Sequence, residues 1–397
     1  MKKLLKTITL MTVLLTLLIS AALAQASGTV YSYSDLFTGR DLEQSPDLAK
    51  AVSYTLTDGE DIRITAAGVY VLNGTAKNAT VYVEAGQDDK VQLVLNGVTV
   101  TNSDFPVIYV KSADKVFVTT GADSSLKVTG AFRTDGSVNT DGVIFSRSDL
   151  VLNGTAALSI VSTDNGVVSK DDLKVTGGTY TINAPSKAID ANDSIRIADG
   201  VFDLTAGTDG LHAENNDDDA LGYIYIGGGQ FNINAGDDAI HANSVVQIDQ
   251  GTLVLRAAEC IEGTYIQIND GSVDIQSWDD GLNAARKSAA YSAALEINGG
   301  EITVAMSQGD TDGIDSNGDL IINGGVIRVT ASSSFDYDGS AQYNGGTIIV
   351  NGQQVSSIPN QMMGGRGMGG WGNQGSGSGW GMGGWGNTGR GGHGRGW

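Results

Sequence analysis

Polar side chains recur at two positions of a repeated segment that begins near the middle of the chain. Most of them are carboxylates. The first position holds Lys187, Asp209, Asp238, Glu259, Asp280 and Asp312, and the second holds Asp190, His212, His241, Glu262, Asn283 and Asp315. If the repeats stack as strands, equivalent residues lie about 4.8 Å apart. Ionised carboxylates at that spacing repel each other unless a cation lies among them.

Calcium is the cation that such a ligand set suits best. It accepts six to eight oxygen ligands in a loose geometry, whereas Mg²⁺ and Zn²⁺ fit a column of carboxylates less well. The predicted calcium ligands are Asp209, Asp237, Asp238, Glu259, Glu262, Asp279, Asp280, Asn283, Asp312, Asp315 and Asn317. The alternative is a solvated acidic face that only keeps a long β-protein in solution.

Aromatic and cationic residues lie close in sequence to these acidic positions. A sugar that carries carboxylates suits such a set, because its apolar ring face stacks on an aromatic side chain while cations meet its charge. The predicted carbohydrate-binding residues are His212, His241, Trp278, Arg286, Lys287 and Tyr291. For the two histidines, a purely structural stack is the alternative.

The element that must position these side chains is itself a repeat. Seven apolar residues are each followed by an apolar residue two positions later, a Gly five later, and apolar residues seven and nine later; they are Leu173, Ile195, Ile224, Val246, Ile266, Leu295 and Leu320. Period-two alternation around a Gly predicts strand, turn and strand, and a third short apolar stretch closes each copy. Three short strands in a coil of twenty-odd residues predict an all-β parallel β-helix.

The rest of the chain divides around this solenoid. We expect the β-helix, a carbohydrate-binding domain, to span residues 62–358, and residues 27–61 to form an N-terminal region that caps the open edge. Cys260, the single cysteine, takes a position that is Ala or Gly in the other coils, so we interpret it as a small buried thiol.

Both ends differ in composition from the middle. Residues 1–24 have the cationic start, apolar run and small residues of a secretory signal peptide, which predicts a secreted protein, extracellular or at the cell surface. Residues 361–397 contain 18 Gly and predict a disordered tail. The 397-residue chain has a net charge of −21, and without these ends the remaining 18 cations and 45 acids give −27. This charge excludes nucleic acid as a main partner, and we expect no membrane insertion and a monomer.

Several ordered motifs resemble one known family. They are 37–42 (FTGRDL), 68–75 (GVYVLNGT), 90–97 (KVQLVLNG), 108–115 (IYVKSADK), 237–242 (DDAIHA), 259–263 (ECIEG), 279–285 (DDGLNAA) and 312–318 (DGIDSNG). The sequence is similar to bacterial surface carbohydrate-binding proteins of right-handed parallel β-helix fold, themselves similar to family 9 polysaccharide lyases. The resemblance implies Ca²⁺ held by the acidic columns and binding of extracellular polysaccharide, either cellulose or acidic pectic chains.

Two functions follow from these observations. The first is a calcium-binding, non-catalytic polysaccharide-binding protein. The second is a calcium-dependent lyase that cleaves uronic-acid chains by β-elimination, for which the resembled lyases use a Lys as the base. The cations near the acidic columns are Lys187, Arg286 and Lys287, the candidate catalytic residues of that alternative. A structural adhesin without sugar specificity is a third, weaker option.

Overall fold

The computed structural model describes residues 29–307 and 311–360. The predicted signal peptide and the Gly-rich tail lie outside these residues. One short helix, α1, spans Tyr33–Leu36, and within the described residues no helix has the length and apolarity needed to cross a bilayer. Everything else of regular structure in the described part of the chain is β-strand.

The strands, numbered in chain order, are β1 Val52–Thr55, β2 Ile62–Ile64, β3 Gly68–Lys77, β4 Val81–Glu84, β5 Lys90–Asn102, β6 Ile108–Ser112, β7 Lys115–Ala122, β8 Ser124–Val128, β9 Gly142–Ser146, β10 Asp149–Gly154, β11 Ala157–Val161, β12 Asn165–Ser169, β13 Asp172–Val175, β14 Thr179–Ala184, β15 Ile189–Ala191, β16 Ser194–Ile197, β17 Val201–Ala206, β18 Leu211–Ala213, β19 Tyr223–Ile226, β20 Gln230–Asn234, β21 Asp238–Ala242, β22 Val245–Ile248, β23 Thr252–Ala257, β24 Glu259–Gly263, β25 Tyr265–Ile268, β26 Ser272–Ser277, β27 Leu282–Ala284, β28 Ala294–Ile297, β29 Glu301–Met306, β30 Asp312–Ser316, β31 Asp319–Ile322, β32 Val326–Thr330, β33 Ser333–Tyr337, β34 Ala341–Tyr343, β35 Thr347–Val350 and β36 Gln353–Val355.

These strands form the parallel β-helix that the repeat predicts. From β7 onward almost every strand pairs in parallel with the strand one coil later, so that three ladders run along the molecule. Ladder A contains β7, β10 and every third strand to β34; ladder B contains β8, β11 and every third strand to β35. Ladder C runs from β2, β4, β6 and β9 through every third strand to β33. In the first coils the long strands β3 and β5 take part in both A and B.

The register of ladder A is the one that the seven apolar starting residues predict. Leu173 pairs with Ile195, Ile195 with Ile224, and the alignment continues to Leu320. The Gly five residues after each start has a positive φ, 98° at Gly178 for example, a conformation that L-residues with a Cβ rarely adopt. Each Gly therefore permits the turn from ladder A into ladder B.

The core is a stack of apolar side chains that point inward from all three ladders. Tyr180, Phe202 and Phe231 occupy equivalent positions of ladder B, with ring centroids 5.5 and 4.6 Å apart in successive coils. The corner after ladder B is equally tight, since a Cβ on Gly236 would lie 2.0 Å from the carbonyl oxygen of Gly207. Repeated residue types thus contact their own counterparts one coil away.

The N-terminal region contributes both an edge strand and a strap. β1 pairs with β3 at the start of the solenoid, and Leu56 enters the core. Residues 30–44, which we call the strap, instead run along the outer face of ladder A. Tyr31 stacks on Tyr223 at 4.3 Å, and Gln44 donates to the carbonyl of Thr176 at 2.9 Å. The segment expected to cap the edge therefore also covers a side of the solenoid.

Candidate functional site

The two polar columns predicted from the sequence are aligned on ladder C. In the second column Asp190, His212, His241, Glu262, Asn283 and Asp315 are direct partners in successive strands. In the first column Asp238 pairs with Glu259, and backbone hydrogen bonds continue the register through Asp280 to Asp312. Asp336, which pairs with Asp315, extends the second column by one coil and was missed because the last repeat is degenerate.

The middle of these columns lines a cavity of about 630 Å³. The rings of His212 and His241 stack there, 4.8 Å apart and 17° from parallel. Oδ1 of Asp190 lies 2.8 Å from Nδ1 of His212 and accepts a hydrogen bond from Nζ of Lys187 at 3.3 Å. The residues that line the cavity are Asp209, His212, Glu214, Asn215, Asn216, Asp219, Asp237, Asp238, His241, Asn243, Glu259, Glu262 and Lys287. Glu214 and Asn243 share one repeat position with Asn192 and Asn317, two residues after the second column, and this recurrence is the signal that could have revealed them in the sequence.

The acids nearest the histidines have cationic partners. His241 Nδ1 lies 2.5 Å from Asp238 Oδ2 and 2.9 Å from Glu262 Oε2, and Lys287 Nζ lies 2.6 Å from Glu262 Oε2. Burial alone would lower the pKa of His241, but the hydrogen bonds to Asp238 and Glu262 outweigh it and raise the pKa to about 9. Asp238, His241 and Glu262 could hold a metal ion, since their ligand atoms lie within 4.8 Å of one another. The negative charges of Asp238 and Glu262 are nevertheless balanced by His241 and Lys287 without a metal ion.

The next coils of the columns lack such balance. Among the described residues, no Lys, Arg or His forms an ion pair with Glu259, Asp280 or Asp315. Burial, followed by the charges of Asp280, Asp312 and Asp336, raises the pKa of Asp315 to about 7. Burial and neighbouring acids likewise raise the pKa of Asp280 to about 6 and that of Glu259 to about 7. Carboxylates without a counterion resist ionisation in this part of the columns.

An unused acceptor lies in the same place. Asn283 donates through Nδ2 to Glu259 Oε2 at 2.8 Å, but its Oδ1 is buried and has no hydrogen-bond partner in the described part of the chain. A buried amide oxygen normally has a donor or a cation beside it. Asn283 pairs with Asp315 in the next strand, and the charges of Asp280 and Asp312 act on Asp315; these four residues offer only hard oxygen donors, the kind that Ca²⁺ accepts. We call these four residues the oxygen cluster.

The remaining predicted metal ligands lie around this cluster. Asp209 and Asp237 line the histidine cavity. Asp279 precedes Asp280, whose pKa it helps to raise. Asn317 donates to Asp315 Oδ2 at 3.4 Å but lines a different cavity. The predicted metal ligands are therefore spread along several coils and do not form one centre.

The predicted carbohydrate-binding residues are divided among three cavities. His212, His241 and Lys287 line the first, whereas Arg286 and Tyr291 line a second of about 430 Å³ and Trp278 a third of about 350 Å³. Trp278 shares no cavity with Arg286, Lys287 or Tyr291 in the described residues. Trp278 precedes β27 and the other three follow it, so a strand separates them.

The cysteine is as inert as its position suggests. Cys260 is fully buried in the core, and burial raises the pKa of its thiol to about 12. A thiol reagent such as Ellman's reagent is therefore expected to leave the native protein unmodified at pH 8 and to modify one thiol per chain after denaturation. Rapid reaction of the folded protein would contradict this burial.

Comparisons with known proteins identify a matching family, a relative and a similar solved structure. A family model described as carbohydrate-binding domain-containing protein matches residues 58–310 and 258–356. A relative with the same description, from Acetivibrio thermocellus, is 32% identical over 129 residues, which is 31% of this chain. The match spans 45% of that relative's length. A solved structure, the polysaccharide lyase-like protein from C. thermocellum as a gadolinium derivative, is 28% identical and covers 56% of this chain and 93% of its own, with a TM-score of 0.48.

The family model covers most of the solenoid, including both polar columns. The chain therefore belongs to the family of carbohydrate-binding domain-containing proteins.

Proposed function

We propose that the protein is a non-catalytic, calcium-binding protein that attaches to extracellular polysaccharide, either cellulose or acidic pectic chains. Membership of a carbohydrate-binding family supports the ligand class. The observation that carries the calcium proposal is the oxygen cluster, in which Asn283 Oδ1 is buried without a hydrogen-bond partner in the described residues, beside Asp280 and Asp315, whose pKa values burial and neighbouring acids raise. When bound, the ion supplies positive charge to this face.

The residues of the cluster would hold the ion from two successive coils. Asp280 and Asn283 come from either end of one ladder C segment, and Asp312 and Asp315 come from the equivalent positions of the next. The carboxylate of Glu259 reaches the same place through its hydrogen bond with Asn283. Asn283, Asp312 and Asp315 lie in strands of ladder C, and the carbonyl of Asp280 accepts a hydrogen bond from the backbone N–H of Cys260 in the preceding coil, so the backbone of each donor is fixed before any ligand arrives.

The neighbouring cavity suits neutral parts of a sugar. Its lining combines acceptors, such as Glu214, with amide groups of Asn215 and Asn243 that both donate and accept. Sugar hydroxyls need such mixed partners. Lys287 at its edge is a cation for a sugar carboxylate, although it already contacts Glu262.

The lyase alternative receives less support from the geometry. The three candidate cations all act as donors: Lys187 to Asp190, Lys287 to Glu262, and Arg286 to the carbonyl of Asn317 at 2.6 Å. A base must instead accept a proton from carbon. We expect no unsaturated product, measured by absorbance, when the protein is incubated with polygalacturonate and Ca²⁺. Product that disappears with Lys187→Ala, Arg286→Ala or Lys287→Ala would overturn the non-catalytic proposal.

A retention assay tests binding directly. Purified protein is expected to be retained on insoluble pectate or cellulose in the presence of Ca²⁺, with pectate retention reduced at least about tenfold in the Asp312→Asn/Asp315→Asn double variant, because the double variant loses charged ligands of the ion. Calcium also binds the carboxylates of pectate itself, so a chelator would change the polysaccharide as well as the protein. The double variant is therefore used to test the calcium site.

The matched control is Asp88→Asn, an exposed acid far in sequence from the columns. It removes a negative charge without touching the oxygen cluster and is expected to be retained like the unchanged protein. Absence of retention on both polysaccharides would overturn the binding proposal. Equal retention of the double variant and the control on pectate would separate polysaccharide binding from the proposed calcium site.

A further inference from the structure

The outer face of ladder B is open along most of its length. Its strands alternate between exposed and buried residues, as in β17 and β26, whereas strands of ladders A and C such as β22 and β18 are buried on both faces. The strap covers part of ladder A. Ladder B therefore offers a broad, regular surface that nothing in the described residues covers.

A groove lies at the edge of this face, where ladder B turns into ladder C. Asn234, Arg256, Gln276 and Ala305 are partners in four successive strands and form its length. Trp278 and Met306 supply its apolar parts, and the groove has a volume of about 350 Å³. Trp278 is 47% exposed, although an indole usually buries most of its surface.

The charge of the groove differs from that of the rest of the molecule. Its lining contains Arg256 and no acid: the residues are Asn234, Arg256, Gln276, Ser277, Trp278, Ala305, Met306 and Ser307. The guanidinium of Arg256 contacts neutral oxygens, Gln276 Oε1 at 3.2 Å and Asn232 Oδ1 at 3.4 Å. In the described part of the chain it forms no ion pair. In contrast, the histidine cavity contains seven Asp or Glu side chains and repels an anionic sugar in the absence of metal.

We propose that this groove is a subsite for a uronic acid residue of an acidic polysaccharide, and that it needs no metal. The sugar ring stacks on Trp278, its carboxylate pairs with Arg256, and its hydroxyls bond to Asn234 and Gln276. Amide oxygens hold the guanidinium in place but leave its charge unneutralised, which suits recognition of a carboxylate. The inference rests on the proposed polysaccharide binding and assigns to it a second face of the solenoid.

Calorimetric titration of the full chain in excess chelator tests the subsite. The probes are an oligogalacturonate of defined length and a neutral cello-oligosaccharide of equal length. The unchanged protein is expected to bind the oligogalacturonate more tightly. Arg256→Gln is expected to weaken oligogalacturonate binding about tenfold or more and to leave the neutral sugar unaffected, since it removes charge-assisted hydrogen bonds. Trp278→Ala is expected to weaken binding of both sugars about tenfold, because both stack.

The matched control is Arg147→Gln, which removes the same charge from an exposed position outside the groove and is expected to leave both affinities unchanged. Arg256→Lys retains the charge without the planar fork and is expected to fall between the unchanged protein and Arg256→Gln. If Arg147→Gln and Arg256→Gln weaken oligogalacturonate binding equally, the loss is due to the overall charge of the protein, and the subsite proposal is overturned. Binding that appears only with Ca²⁺ would also overturn the subsite while leaving the proposed function intact, and binding under neither condition would overturn both.

Discussion

Calcium is expected to stabilise the protein by about 2.7 kcal/mol when the free ion is about one hundred times its dissociation constant, because the ion binds the folded oxygen cluster and not the unfolded chain. The cluster combines Asp280 and Asn283 with Asp312 and Asp315 of the next coil, which only the folded ladder places side by side, so the unfolded chain offers no comparable site. The measurement is the melting temperature with and without excess chelator, followed by titration with Ca²⁺.

The Asp312→Asn/Asp315→Asn double variant is the control for this effect. It is expected to lose most of the response to calcium, yet to be at least as stable as the unchanged protein in chelator, because it removes repulsion among the carboxylates. A solvated acidic face predicts a different result, with no response to calcium in either protein. A double variant that responds like the unchanged protein would contradict the position of the site.

The dependence on pH provides an independent check of the same site. In the metal-free protein the pKa values of Glu259 and Asp315 are raised to about 7, well above those of an unfolded chain near 4. Groups raised in this way contribute stability below pH 4, and that contribution is lost as the pH rises through about 7. The metal-free melting temperature should therefore gain from these groups as the pH falls from 8 to 5, and the calcium effect should shrink because protons compete with the ion. A calcium effect that grows towards pH 5 would contradict this.

Local pattern made the solenoid predictable from the sequence. The apolar alternation after Leu173 and the Gly at 178 specify two strands and the turn between them. The later coils repeat the same pattern of apolar residues and Gly. Because a parallel solenoid aligns equal positions of successive coils, the same repeat also predicted that His212 lies against His241 and that Asn283 lies against Asp315. For these residues, spacing along the chain determines position in space.

Residues outside the repeat could not be placed in this way. Trp278 and Lys287 are nine positions apart, yet one precedes β27 and the other follows it, and Arg256, which lines the same groove as Trp278, comes from the preceding coil. The strap is similar, since nothing periodic in residues 30–44 indicates that it crosses ladder A as far as Gln267. Loops and straps are positioned by side-chain contacts between distant segments, which a single sequence does not display.

The three ladders of the solenoid have different surroundings, so ladder A has a structural role and ladders B and C are the ones we propose for binding. Ladder A is closed by the strap, so polar residues such as Gln247 are buried and hold the N-terminal segment. Ladder C carries the oxygen cluster, and ladder B remains open with Trp278 at its edge. A long polymer can therefore contact a rigid surface along several coils while the strap stabilises the opposite ladder.

Replacing Asp41 in the strap by Ala is expected to destabilise the protein by about 3–5 kcal/mol, the usual cost of breaking a buried ion pair from one side. Asp41 is fully buried, 3.0 Å from Nζ of the buried Lys174 and 3.3 Å from Nζ of Lys115. Without the carboxylate, Lys174 keeps its charge in a place that water does not reach. Chemical denaturation monitored by circular dichroism measures the loss.

Two controls separate this buried pair from ordinary surface charge. Asp114→Asn breaks an exposed pair with Lys90 and is expected to cost less than about 1 kcal/mol. The second control is pH: burial would raise the pKa of Asp41, but hydrogen bonds from Thr38 and Lys174 outweigh it and hold the pKa at about 2. Its contribution to stability is therefore present above pH 4 and lost as the pH falls from about 4 to about 2. Equal costs for Asp41→Ala and Asp114→Asn would mean that the strap is held by its aromatic contacts, with Tyr31 on Tyr223, and not by this ion pair.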